Sequence, residues 1–251
     1  MALRKEELVL REPAPFPLNF AETCSHVNSH WRRVALATPV LWRVLRFSKK
    51  QAKNERERTW LERSKRTVLS IYLPPMHKSL FNDLFVTLLP HLPRARTFCL
   101  ETQHTKLLLK LLRGLPRMDN IRNLELRTDY AISNQLVEGT VQNLFEGAAH
   151  LQKVTLEYIP LDLVVFPTNN ITELCLVYSE IRILQFDAIL KSVAPTLEWL
   201  SIELQDPERQ NDLPILSLLR SNGLTHFPNL HTLELGEDGL LISNHILRNF
   251  W

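Results

Sequence analysis

Two histidines, His26 and His30, have the four-residue spacing of a zinc-binding pair on one face of a helix. Their neighbours do not form the H-E-x-x-H motif, and no third ligand is apparent. The three cysteines, Cys24, Cys99 and Cys175, are far apart, and none belongs to a C-x-x-C pair. We therefore predict neither a zinc site nor a disulfide framework. We expect the histidines to be ordinary surface residues and the protein to bind no cofactor.

The sequence also lacks the motifs of the common enzyme classes. Its six glycines form neither a phosphate-binding loop nor a G-x-G-x-x-G pattern. There is no G-x-S-x-G nucleophile elbow, and no cysteine or histidine has an orienting partner nearby in the sequence. An enzyme or a small-ligand receptor would require a deep pocket with convergent polar groups. We predict that the protein is not an enzyme.

The charge of the chain does not indicate a nucleic-acid or membrane partner. The formal net charge is only +3, and 23% of the residues are charged. In the basic run 49–66, acidic residues such as Glu57 and Glu62 balance nearby cations, so we predict a solvated helix that joins two parts of the chain. The first ten residues lack the apolar core of a signal peptide. No apolar stretch approaches the roughly 18 residues of a membrane helix, so we expect a cytoplasmic and/or nuclear protein.

The elements that would position functional residues recur along the chain. The pattern apolar-x-x-apolar-x-apolar occurs seven times, and its copies end 20 to 33 residues apart. The last apolar residues of these copies are Leu73, Leu100, Leu126, Leu156, Leu176, Ile202 and Leu235. Between the copies, apolar residues recur at helical spacing, for example at Leu80, Leu84 and Leu88. Strand and helix units of roughly 20–29 residues, which stack to bury their apolar sides, are typical of leucine-rich repeats.

We therefore predict an α/β solenoid of about seven leucine-rich repeats over residues 67–251. The repeats are expected to be irregular. The regular pattern has Asn or Cys three residues after the last apolar residue, and this chain has neither at any of those positions. Met76 and Ile159 stand at two of them, and neither side chain forms the hydrogen bonds that the turn needs.

Residues 27–42, VNSHWRRVALATPVLW, resemble the C-terminal half of an F-box, whose usual form is V-C-x-x-W-R-x-x-A followed by T-P-x-L-W. The resemblance implies a small all-α F-box-like segment with a linker helix over residues 1–66. It also implies a protein-binding adaptor, the substrate-recognition subunit of a cullin–RING (SCF-type) ubiquitin ligase, which docks on a Skp-type linker. The residues implied in docking are Val27, Trp31, Arg32, Leu41 and Trp42.

Two features depart from the family pattern. Asn28 stands where the family usually has Cys, and residues 1–18 do not show the L-P-x-E start of the first half of the F-box. Because linker contacts in the family come from both halves, we expect docking of this 251-residue form to be weak or absent. The alternative function is that of a leucine-rich-repeat interaction scaffold with no ubiquitin role.

A helical period within residues 17–45 predicts how the F-box-like segment packs. Apolar side chains recur three or four residues apart from residue 20 to residue 34, as on one face of a single helix that stops at Thr38-Pro39. We expect Phe20, Val27, Trp31 and Trp42 to pack with one another or onto the first repeat. That packing would cover the exposed end of the solenoid.

Alternation within the strands predicts the residues of the concave face. In residues 123–127, Leu124 and Leu126 point to the core, so the three residues around them point outwards. The same alternation in the other copies predicts a target-binding face that contains Glu101, Glu125, Arg127, Glu157, Glu173, Trp199, Glu203 and Glu234. Its acidic stripe and aromatic anchor favour a basic or arginine-rich target segment. Alternatively, these positions are polar because they face water.

Overall fold

The computed structural model describes residues 20–47, 55–75, 77–103, 108, 112, 114–128, 148–159, 169–177, 183–203 and 226–235. The described strands form one eight-stranded parallel sheet, in which each strand pairs with its neighbours in chain order. Helices lie between some of these strands, so the fold is of the α/β type. The α/β part of the prediction is confirmed.

The helices and strands follow one another as the sequence patterns suggest. The N-terminal helices are α1 (Phe20–Val27), α2 (Ser29–Ala37), a 3₁₀ helix (Pro39–Trp42) and α3 (Glu55–Arg63). The strands are β1 (Val44–Arg46), β2 (Leu69–Leu73), β3 (Ala95–Thr102), β4 (Asn123–Thr128), β5 (Lys153–Glu157), β6 (Glu173–Val177), β7 (Trp199–Glu203) and β8 (Thr232–Leu235). Between strands lie α4 (Lys78–Leu88), a second 3₁₀ helix (Leu89–Arg94) and α5 (Ile183–Val193). Strands β2 to β8 coincide with the seven apolar patterns.

One face of the sheet forms the core. In β4, Leu124 and Leu126 are buried, whereas Glu125 between them is half-exposed. Leu124 lies in register with Phe98 of β3 and Val154 of β5, and both are buried. Each such side chain stabilises the fold by about 1.5–3 kcal/mol on burial. Apolar rows that run across the strands therefore hold the sheet together.

Three asparagines connect the turns that precede successive strands. Asn120, Asn170 and Asn229 each stand three residues before a strand, and the side-chain Nδ2 of each donates to a backbone carbonyl in the preceding turn. The acceptors are Pro93 O, Ala149 O and Pro195 O, at 2.9, 2.6 and 2.7 Å respectively. The regular leucine-rich-repeat pattern has its Asn or Cys after the strand. In this chain they precede it, in the recurring order Asn-Ile/Leu-x-x-Leu-x-Leu.

Trp42 is the centre of packing in the N-terminal part. Its side chain is fully buried, and its ring meets that of Trp60 in α3 edge to face, with centroids 5.8 Å apart. Its Nε1 donates to Ala35 O at 2.8 Å, and the Arg63 guanidinium lies 4.5 Å from the ring centroid. Trp42 is therefore buried, but its ring contact is with Trp60, a residue that the packing prediction did not name.

The packing prediction is wrong for Val27 and Trp31, which are 60% and 47% exposed. The predicted single helix is two helices, because Asn28 between them has extended backbone. The Asn28 side-chain oxygen accepts a hydrogen bond from the backbone N–H of Trp31 at 2.9 Å and so caps α2. Because of this break, a different side of α2 faces inwards. The buried residue of α2 is the small Ala35.

The predicted linker helix is also more buried than expected. The part that the structure describes is α3, and residues 48–54 lie outside the described residues. Glu57, Trp60 and Leu61 of α3 are buried, so the helix is not solvated on all sides. Among the described residues, no helix has the length and apolar character needed to span a membrane.

Arg94, just before β3, forms hydrogen bonds with the end of α3 and the turn that follows it. Its guanidinium donates to Leu61 O at 3.3 Å, to Thr67 O at 3.1 Å and to Ser64 Oγ at 3.1 Å. His91 Nδ1 lies 3.1 Å from the same group. Because the guanidinium is a permanent donor, we assign Nδ1 as an acceptor, which requires a neutral imidazole. Burial and the nearby Arg94 charge lower the pKa of His91, in agreement with this assignment.

Candidate functional site

Exposed large apolar side chains are concentrated around α2. These five residues, which we call the α2 surface, are Val27, Trp31, Val34, Leu36 and Val40. Elsewhere in the described part of the chain, large apolar side chains are exposed singly, at Val68 and Val86. Single exposed apolar residues are common, and the concentration of five within fourteen residues makes this part of the described chain the candidate interaction site.

The residues implied in linker docking divide into two groups. Val27, Trp31 and Arg32 are exposed, and Arg32 Nε donates to Ser25 O at 2.9 Å. Trp42 is fully buried and presents no surface to a partner, which corrects its expected role as a docking residue. Leu41 is half-buried and packs against the core.

Three residues of the α2 surface were not named from the sequence as docking residues. The helical period placed Val34 on the inward face, and Leu36 and Val40 stand where the F-box pattern specifies no residue. Val34 is exposed in the helix that begins after the break at Asn28, whose side chain caps that helix. The sequence contained one sign of this helix break. Asn28 stands where the F-box pattern has Cys, and Asn is among the preferred N-cap residues.

A shallow depression of about 490 Å³ lies on α1, next to the α2 surface. Its described lining residues are Glu22, Thr23, His26 and Val27. Glu22 pairs with Arg56 of α3 at 2.6 Å.

His26 and His30 are exposed, so the prediction that they are surface residues is confirmed. Within the described residues, no three histidine, cysteine or acidic side chains are grouped so as to hold a metal ion.

The face of the sheet opposite the core is lined by polar and charged side chains, and we call it the open face. Strand register arranges its residues from β3 to β8 in three rows. The first row is Thr97, Asn123, Lys153, Glu173, Trp199 and Thr232. The middle row is Cys99, Glu125, Thr155, Cys175, Ser201 and Glu234. The third row is Glu101, Arg127, Glu157, Val177 and Glu203. All eight residues predicted for the concave face lie in these rows, and their role in target binding stays a prediction.

Ion pairs interrupt the predicted acidic stripe in the middle of the open face. Arg127 Nε lies 2.5 Å from Glu125 Oε1 on the same strand, and its Nη1 lies 3.4 Å from Glu157 Oε2 on β5. Lys153 Nζ lies 2.8 Å from Glu173 Oε1 on β6. Half of the six predicted carboxylates therefore have a cationic partner within the face. These are partly exposed pairs, so each contributes little to stability.

The charged residues outside the middle of the open face differ in sign between its two edges. At the β1 edge, Arg46 adds a cation that lies over the Tyr72 ring, 4.5 Å from its centroid. Towards the other edge, β7 and β8 contribute Glu203 and Glu234. Within the described residues, Glu234 forms no ion pair. The described strands β7 and β8 therefore contain two acidic residues and no basic residue.

The two thiols of the open face, Cys99 and Cys175, both have raised pKa values. Burial raises the pKa of Cys99 far above its ordinary range, and its Sγ donates to Glu125 Oε2 at 3.3 Å. Burial likewise raises the pKa of Cys175 to about 11. A thiol with a raised pKa carries little thiolate, the nucleophilic form.

Comparison with protein-family models found no match, and neither the curated proteins nor the solved structures gave a significant match. Function is therefore inferred from the two surfaces described above.

Proposed function

We propose that the protein is a protein-binding adaptor, the substrate-recognition subunit of a cullin–RING (SCF-type) ubiquitin ligase. In this proposal, residues 1–66 are an F-box-like segment and residues 67–251 are an α/β solenoid of irregular leucine-rich repeats. The Skp-type linker binds the α2 surface, and a target protein binds the open face. The protein would then function in the cytoplasm and/or the nucleus.

The observation that carries the proposal is the exposure of Trp31 and Val27 within the sequence that resembles an F-box. Apolar area that a partner removes from water contributes roughly 25 cal/mol per Å². Tryptophan is also enriched among the few residues that supply most of the energy of a protein interface. A family resemblance and an exposed apolar surface at the same residues together support linker docking.

The strand order supports the solenoid part of the proposal. Each strand pairs with the strands adjacent to it in the chain, as expected when each repeat contacts its neighbours. The recurring hydrogen bonds of Asn120, Asn170 and Asn229 join each of these turns to the turn before it. A structural role at the same position of three units is typical of a repeat protein.

The test is a titration with purified Skp-type linker. We expect weak or no binding by the 251-residue form and clear binding by a form preceded by a complete first half of the F-box. In the second form, Trp31→Ala should weaken binding by about 2 kcal/mol, which is roughly 30-fold. The matched control is Val86→Ala, because Val86 is 69% exposed but lies on α4, away from the F-box-like segment.

Two outcomes contradict the proposal. Failure of the form with the complete F-box to bind the linker would leave an interaction scaffold with no ubiquitin role. Equal loss of binding on Trp31→Ala and Val86→Ala would show that the α2 surface is not the docking site. Tight binding by the 251-residue form would contradict the expectation that both halves of the F-box are needed.

A further inference from the structure

Cations are concentrated where strands β2, β3 and β4 begin. The three segments at these strand starts, residues 64–68, 91–96 and 117–122, contain six cationic residues and one acidic residue. The whole chain, in contrast, has 30 cationic and 27 acidic residues. The corresponding segments before β5 and β6, residues 148–152 and 169–172, contain no lysine, arginine or carboxylate, and the segment before β7 contains Glu198. Positive charge is therefore concentrated at one end of this row of segments.

Hydrogen bonds hold the three basic segments side by side. The Arg94 guanidinium donates to Lys65 O, which joins the first segment to the second. The backbone N–H of Arg122 donates to Arg96 O at 2.8 Å, which joins the second segment to the third. Because neighbouring strands lie about 4.8 Å apart, the three segments together span roughly 10 Å.

Four of the six cations form no ion pair with another described residue. We call these four residues the basic patch: Lys65, Arg66, Arg96 and Arg122. The first three are exposed and the last is half-buried. Of the other two cations, Arg94 donates to backbone carbonyls around the end of α3, and Arg117 pairs with Asp119 at 2.6 Å. Directly before the first segment, Glu62 and Arg63 of α3 balance each other in charge.

We propose that the basic patch binds an acidic segment of a partner protein. The acidic segment lies in extended form across the starts of β2, β3 and β4, and its carboxylates pair with Arg96 and Arg122. Roughly three extended residues cover the 10 Å of the patch. The basic patch shares no residue with the α2 surface or the open face, so this inference does not rest on the ligase proposal.

An acidic protein segment fits the patch better than a nucleic acid does. The arginine guanidinium forms paired hydrogen bonds with a carboxylate. Proteins that bind single-stranded nucleic acids combine cations with aromatic side chains on which the bases stack. The three basic segments contain no phenylalanine, tyrosine or tryptophan. A longer nucleic acid that followed the row of segments would also leave the cations and approach Glu198.

The experiment measures fluorescence anisotropy of a fluorescein-labelled hexaglutamate peptide titrated with the full chain, and hexaglutamine is the control peptide. We expect saturable binding of hexaglutamate that added salt weakens, and no binding of hexaglutamine. Arg96→Gln combined with Arg122→Gln should weaken hexaglutamate binding about fivefold, as expected for the loss of two exposed ion pairs. The matched control combines Arg33→Gln with Arg58→Gln, because these exposed arginines of α2 and α3 give the same change in net charge.

A second variant removes a charged side chain from a position where the backbone favours glycine. Lys65 has a φ of 49°, a left-handed conformation in which a side chain is strained. Lys65→Gly should therefore leave stability in urea undiminished and still weaken hexaglutamate binding about twofold.

Three results would overturn the inference. The first is equal affinity for hexaglutamate and hexaglutamine. The second is an equal effect of the Arg96/Arg122 and Arg33/Arg58 double substitutions on hexaglutamate binding. The third is binding of a six-residue oligothymidylate as tight as that of hexaglutamate, because that result would assign the patch to nucleic acid.

Discussion

Alanine substitution at Trp42 and Trp31 should separate a structural tryptophan from a surface one. Replacing a buried tryptophan by alanine costs about 3–5 kcal/mol. Trp42→Ala also removes an edge-to-face contact with Trp60, worth about 0.5–1.5 kcal/mol. We therefore expect a loss of about 3.5–6.5 kcal/mol in the free energy of unfolding. Trp31 is half-exposed, so Trp31→Ala should change that free energy by about 0.5 kcal/mol or less.

The assay is equilibrium unfolding in urea, followed by far-ultraviolet circular dichroism, with both variants measured beside the natural chain. Trp42→Phe is the control, because it keeps an aromatic ring but removes the hydrogen bond from Nε1 to Ala35 O. Its loss should lie between those of the two alanine variants. A Trp31→Ala variant as unstable as Trp42→Ala would refute the reasoning, since it would place Trp31 in the core and remove it from the docking surface.

Three further predictions follow from single contacts. Asn170→Ala should cost about 1 kcal/mol in urea unfolding, and a loss no larger than that of the exposed Asn82→Ala would contradict the role of the turn hydrogen bond. Burial beside Arg94 lowers the pKa of His91 below its ordinary value of 6.5. Its contribution to stability is therefore present above that pH and lost as the pH falls, and a His91→Gln variant with unchanged pH dependence would contradict this. Because burial raises the pKa of Cys175 to about 11, its alkylation by iodoacetamide should be slow at neutral pH and accelerate in alkali. Rapid alkylation at neutral pH would contradict its burial.

The strands and their buried sides could be predicted from the sequence, because alternation is a local property. Leu124 and Leu126 show it within six residues, and the same spacing recurs in every later unit. Strand β1 was not predicted. It has only three residues, and a single buried side chain, Leu45, shows no alternation. The positions of the open-face residues followed from the same alternation.

The properties that depend on pairs of elements could not be predicted. The ion pair between Lys153 and Glu173 depends on the register of β5 with β6, which repeat spacing does not specify to one residue. The exposure of Trp31 depends on whether Asn28 caps a new helix or continues the old one, and the helical period is the same in both cases. The packing prediction placed both tryptophans inside, whereas the structure buries Trp42 and exposes Trp31.

The central claim, that the α2 surface connects this chain to a ubiquitin ligase, is tested most directly by co-purification from cell lysate. The bait is the form preceded by a complete first half of the F-box, with and without Trp31→Ala, and the readout is the amount of Skp-type linker and cullin retained. We predict that the bait retains both proteins and that Trp31→Ala releases them together. Absence of linker and cullin from the unsubstituted bait, or equal retention by the Trp31→Ala form, would contradict the claim.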